Sequence, residues 1–168
     1  MAELAAASAG AASFPLERGG VRAVERVPEA LWSVMPFRGG ERPGWWPEAG
    51  RVVRSDGVRA VWFGHEAAIV EGPRPEVAAA VTEQTDAWVV VRLDGARAGD
   101  VLARLVPLDL RERAFPDGSV ARTALGHLSV ALLRDGAAFE VWALRSMAGT
   151  LAHELARAMR SVAGRGEG

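Results

Sequence analysis

Few side chains in this sequence are placed to do chemistry. The histidines are His65, His127 and His153. None falls in a His-Glu-x-x-His spacing or beside a second ligand, so the pattern describes no metal site. His65 with Glu66 belongs to a turn between two strands. His127 follows Gly126 in a β-like run and reads as a structural histidine, and His153 falls on the polar side of a helix. The polar cluster Asp109, Arg111 and Arg113, with Phe115 beside it, has two readings. It is an ion-paired connection, which would contribute little if exposed, or a docking surface with Phe115 as its anchor. Arg145-Ser146, at a strand-to-helix junction, caps and braces. No Gly-x-Gly-x-x-Gly follows a strand, and neither a phosphate loop nor a Gly-x-Ser-x-Gly elbow is present. With no Cys there is no thiol nucleophile, thiolate zinc site or disulfide. The expectation is a chain without catalytic, cofactor-binding or metal-ligating residues of its own.

A second candidate surface comes from aromatic residues in an awkward setting. Trp32, Met35, Phe37, Trp45 and Trp46 stand among Pro28, Pro36, Pro43, Pro47 and the pair Gly39-Gly40. The prolines allow a helix only as a short piece near Glu29 to Val34. Large apolar groups with so little regular structure either wrap their own domain or lie on a partner, where Trp and Arg are the usual anchors. Trp45, Trp46, Arg111, Arg113 and Phe115 are therefore the candidate partner interface.

The elements that must position these residues follow in order. Residues 1–20 read as a disordered tail and 21–50 as an irregular Trp- and Pro-rich lead-in. Residues 51–163 read as one domain and 164–168 as a flexible end. Arg51 to Ser55, Asp56-Gly57 and Val58 to Phe63 make a hairpin, because Asp-Gly is a strong turn signal. Ala67 to Val70 is a further strand. Pro75, Val77 and Val81 predict a helix with Pro in its first turn. Asp86 to Gly95 is dense in Trp and Val, is bounded by turn residues and reads as a buried strand. Val101, Leu102, Leu105 and Val106 recur at helical spacing until Pro107 stops them. Ala121 to Arg134, the Asp135-Gly136 turn and Phe139 to Leu144 form another antiparallel unit. Ser146 is placed as the N-cap of a last helix whose stripe is Met147, Leu151, Leu155, Met159 and Val162. Trp88, Val90, Val101, Leu105, Leu125, Leu132, Val141, Leu151 and Leu155 are the expected core. Hairpins alternating with single helices predict an α+β fold, a two-layer arrangement with helices on one face of a mainly antiparallel sheet.

Composition agrees with this reading. A chain of 168 residues can bury roughly 70% of its unfolded surface in one domain. The apolar fraction of 49%, charged fraction of 24% and net charge of -1 give no field toward nucleic acid or an acidic membrane. All 20 basic residues are Arg. No apolar run approaches a membrane span, and the N-terminus lacks the basic start of a secretory signal. A cytoplasmic location is expected.

Several sequence words resemble one family. They are Asp86-Ala-Trp-Val-Val, Asp100-Val-Leu-Ala-Arg-Leu-Val-Pro-Leu-Asp-Leu and Arg113-Ala-Phe-Pro-Asp-Gly-Ser-Val-Ala-Arg-Thr, followed by Phe139-Glu-Val-Trp and Arg145-Ser-Met-Ala-Gly-Thr-Leu. From about Arg51 to Val162 they are similar to the gamma subunit of heterotetrameric sarcosine oxidase. More distantly, the strand-Gly-helix followed by Leu-Asp-Leu resembles the folate-binding domain of the glycine-cleavage T-protein. The resemblance implies a non-catalytic structural subunit of a complex with alpha, beta and delta chains, which demethylates sarcosine oxidatively to glycine. Flavins, NAD and folate would then be held by the partner subunits and none by this chain. The alternative it leaves open is a free-standing, folate-binding aminomethyltransferase-like protein.

Overall fold

The computed structural model describes residues 13–55 and 57–164. Their strands divide into two antiparallel sheets. The larger has the order β1-β2-β8-β11-β10-β9, made of Leu16–Arg18, Val21–Arg26, Trp88–Asp94, Ala138–Leu144, Leu128–Asp135 and Val120–Leu125 in that order. The smaller has the order β4-β5-β6-β3-β7, made of Val52–Ser55, Val58–Gly64, Ala67–Glu71, Leu31–Pro36 and Ala79–Glu83. Two helices complete the fold, α1 (Ala98–Leu102) and α2 (Ala148–Ala163).

The period-two rule for strands explains the layering. In β8, Val89, Val91 and Leu93 face the helices, while Val90 faces the other way. The helix-side core joins these to Val101 and Leu102 of α1, to Leu151, Leu155, Met159 and Val162 of α2, and to Leu125, Leu132 and Val141. On the opposite face Val90, Ala131, Leu133 and Trp142 pack against Leu31, Val61 and Ile69 of the smaller sheet. The fold is therefore α+β, with helices on one face of the first sheet and the second sheet on its other face. The far face of the second sheet carries Val34, Ala60 and Val70, covered by Trp32, Trp45 and Trp46. Of the expected core, Trp88 and Leu105 are half-buried and the rest are buried.

Several expectations are corrected. The lead-in at 21–50 is not irregular throughout, for it holds β2 and β3. Val21 and Ala23 point into the core while Arg22 between them is exposed. Of the segment near Glu29 to Val34, the part from Leu31 is strand, not helix, and the last residue of that strand, Pro36, lies beyond its pairing with β6, which ends at Val34. The helix after Pro75 is also a strand, β7, because Val77, Ala79 and Val81 share one face against the outer cluster. Within the expected tail, Phe14 is buried and Leu16–Arg18 forms β1; residues 1–12, Asp56 and 165–168 lie outside the described residues. The run from Ala121 to Arg134 breaks at Gly126 (φ 58°) and exposed His127, giving β9 and β10. Ser146 lies in a 3-10 turn, and the α2 N-cap is Met147, 41% exposed and without a side-chain cap bond.

Candidate functional site

Trp45 and Trp46 sit on a loop rather than a strand. Pro43 and Pro47 bracket them, and the Trp46 N–H donates to the Pro43 carbonyl at 2.9 Å, closing a tight turn. Their rings stack with centroids 6.2 Å apart. Both are half-buried because one side of each covers the outer face of β5 and β3. The Arg42 guanidinium lies 5.6 Å from the Trp46 ring centroid and donates to the His65 carbonyl at 3.2 Å. Arg42, Trp46, Glu48, Trp62 and His65 line a cleft of about 430 Å³.

The turn from Asp109 to Phe115 is divided by burial. Phe115 is 7% exposed and Leu110 8%, both in the helix-side core. This corrects the reading of Phe115 as an exposed anchor, since its ring is already used inside its own chain. Arg111 and Arg113 face solvent. Arg111 Nε donates to Asp109 Oδ1 at 2.8 Å, and its backbone N–H donates to the same oxygen at 3.1 Å. The Arg111 side-chain bond, followed by the backbone bond and the nearby Arg113 charge, holds the Asp109 carboxyl down at about 2. The Trp pair and this turn belong to opposite outer layers, with both sheets between them. The structure does not bring the two candidate surfaces together.

A third charged region escaped sequence reasoning. At one end of the sandwich Arg26 of β2, Arg59 of β5, Glu71 of β6 and Glu140 of β11 form a network that spans the sheets. Arg26 Nε lies 3.1 Å from Glu140 Oε1, and Arg26 also pairs with Glu71. Arg59 Nη1 lies 2.9 Å from Glu140 Oε2 and 3.2 Å from Glu71 Oε2. Trp142 Nε1 donates to Glu140 Oε2 at 3.0 Å. Beside them Asp135 joins Arg92 of β8 to Arg54 of β4, at 2.5 and 2.7 Å. These groups line an open groove of about 450 Å³.

Burial alone would raise the Glu140 pKa. The Arg59 and Arg26 charges and the Trp142 N–H outweigh it, and the net shift is downward. Asp135 is lowered chiefly by its hydrogen bond from Arg92. Carboxylates pinned in this way stay ionised near neutrality, and the network ties the two sheets together. The one sequence signal was a charged residue at an inward strand position, such as Glu140 between Phe139 and Val141. The three histidines are exposed. Among the described residues no group of three or more His, Cys, Asp or Glu could hold a metal ion, and no helix is long and apolar enough to cross a membrane.

The class this geometry defines is an α+β protein of two antiparallel sheets with helices on one outer face. No protein-family model matches the chain, and no curated protein sequence matches it. Among solved structures, a chain of the heterotetrameric sarcosine oxidase from Corynebacterium sp. U-96, in complex with pyrrole 2-carboxylate, is similar to it. The TM-score is 0.74 at 19% identity, covering 92% of this chain and 91% of that one. At that identity the likeness establishes a shared fold.

Proposed function

We propose that this chain is a non-catalytic structural subunit, of the gamma type, in a heterotetrameric sarcosine oxidase. The observation that carries the reading is coverage of 92% of this chain and 91% of the oxidase chain in one superposition. A likeness of that extent takes in both sheets and both helices rather than a shared motif. The sequence words from Asp86 to Thr123 and from Phe139 to Leu151 support the same family. In this reading the alpha, beta and delta chains are the partners, with flavins, NAD and folate on them and the work done in the cytoplasm. The chain's role is to dock and brace. Arg111 and Arg113, and the exposed sides of Trp45 and Trp46, are its proposed contacts.

The test is co-expression with the alpha, beta and delta chains of a sarcosine oxidase, followed by affinity purification on this chain. A four-chain complex that oxidises sarcosine and loses yield when this chain is omitted is the expected result. The purified chain alone should be colourless and take up no NAD in calorimetry. Failure to join the complex sinks the reading. Saturable binding of folate by the chain alone would favour a free-standing, aminomethyltransferase-like protein instead.

A further inference from the structure

We propose that the outer edge of β7 is a docking site for an extended, basic segment of another polypeptide, which adds to the smaller sheet as a further strand. The identity of that partner, a subunit of the oxidase, rests on the reading above; the site itself is argued from the fold.

Two open sheets have four edges, and an unpaired edge is a template for another chain. The β4 and β9 edges meet where the two strands begin, and each carries an arginine, Arg54 and Arg122. The Val52 N–H donates to the Gly118 carbonyl at 2.9 Å and the Val120 N–H to the Gly50 carbonyl at 2.8 Å, beside a bridge between Arg51 and Ser119. The β1 edge is 3 residues long. Helix α2 crowds it so closely that a Cβ on Gly19 would lie 3.0 Å from the Ala163 Cβ. The β7 edge is different. It has 5 residues and, among the described residues, pairs with β3 alone. The run Ala79-Ala80-Val81-Thr82-Glu83 contains no Pro, Lys or Arg, and its register with β3 is free of bulges. Those are the devices that normally blunt an edge.

The backbone direction follows from one bond. The Gln84 N–H donates to the Leu31 carbonyl at 2.7 Å, in register with the β7–β3 pairing. Antiparallel ladders alternate, so Thr82 and Ala80 also turn inward to β3. The N–H and C=O groups of Val81 and Glu83 then point outward. Beside this edge Met35, paired with Ala80, is 51% exposed, and Phe37 is 59% exposed. An added strand would thus find both ladder partners and apolar cover for alternate side chains.

Charge selects the occupant. Residues 75–87 carry Glu76, Glu83 and Asp86, all exposed, and no basic residue. A second copy of this chain would set two acidic edges together. A segment with Arg or Lys at alternate positions fits instead.

The test uses the full chain, alone and assembled with the oxidase subunits. Hydrogen exchange should show the Val81 and Glu83 amides slowed by about tenfold or more on assembly. Glu76→Arg/Glu83→Arg, which changes only exposed side chains, should weaken assembly by about tenfold or more. Val81→Pro, which removes an outward N–H, should do the same; if it does not fold, the double arginine variant carries the test. A synthetic peptide of alternating Arg and Val serves as a probe independent of the oxidase. If the peptide slows both amides but the subunits are not recruited, the edge stands and the subunit reading falls. If the subunits assemble with both amides exchanging as in the free chain, and the variants assemble fully, the edge falls and the subunit reading stands. If neither peptide nor subunits protect them, both fall.

Discussion

Glu140 Oε2 lies 2.9 Å from Arg59 Nη1, and the two residues belong to different sheets. Glu140 is 2% exposed. A charge so placed is tolerable because Arg26, Arg59 and the Trp142 N–H surround it.

Replacing Glu140 by Gln keeps the shape and removes the charge, leaving two arginines under-compensated. The expected cost is about 3 kcal/mol. Urea unfolding should show a lower midpoint with an unchanged slope. A loss within about 0.5 kcal/mol, the range of an ordinary surface change, would show that the clamp is dispensable.

Acid should undo the same clamp. Glu140 and Asp135 have folded pKa values below their ordinary 4.5 and 3.8. A depressed carboxyl contributes stability that is fully present above its unfolded value and is lost as pH falls through the folded one. Urea midpoints should therefore be flat near neutrality and decline below about pH 4.5. Glu140→Gln should decline less steeply. An equal slope in both proteins would locate the acid sensitivity elsewhere.

Leu155, at 0% exposure, lies in the middle of the α2 stripe. Leu155→Ala should destabilise by ~2–5 kcal/mol. Arg157, whose side chain is 63% exposed on the opposite side, provides the control. Arg157→Ala should stay within about 0.5 kcal/mol of wild type. Thermal or urea melts of the pair measure the contrast.

Two glycines with positive φ separate strain from crowding. Gly95 has φ +122°, and a Cβ there would stand 2.0 Å from the Gly20 carbonyl oxygen. Gly136 has φ +60° with open space around it. Gly136→Ala should cost about 1–2 kcal/mol from backbone conformation alone. Gly95→Ala should exceed that, at about 4 kcal/mol or more, or yield insoluble protein. Similar melts for both would mean that the β1–β2 turn yields easily.

The hairpins, the strand from Trp88 and the α2 stripe were legible because each carries a local signal. Asp135-Gly136 turns the chain, and Leu151, Leu155, Met159 and Val162 repeat at helical spacing. β3 and β7 were hidden for a physical reason. Both faces of β3 are used, Leu31 toward one sheet and Val34 toward the Trp loop, so no clean alternation survives. Phe115 was misplaced because adjacency to Arg111 and Arg113 says nothing about which way a turn points its ring. The Trp45–Trp46 loop turned out to cover its own sheet while keeping one side open. The ionic clamp was beyond any local window, since Arg26 and Glu140 are 114 positions apart.

The strand order has a consequence in time. β2 and β8 are neighbours in the larger sheet, yet the whole smaller sheet, β3 to β7, lies between them along the chain. β8 to β11 and α2 can assemble from nearly contiguous pieces, whereas joining β2 to β8 closes a loop that contains an entire sheet. Loop entropy places that closure late and topology makes it slow. During refolding, amides of β10 and β11 should become protected before those of β2. Until β2 arrives, β8 remains a bare, apolar edge on the half-built sheet, which is when this chain is most open to capture by a wrong partner.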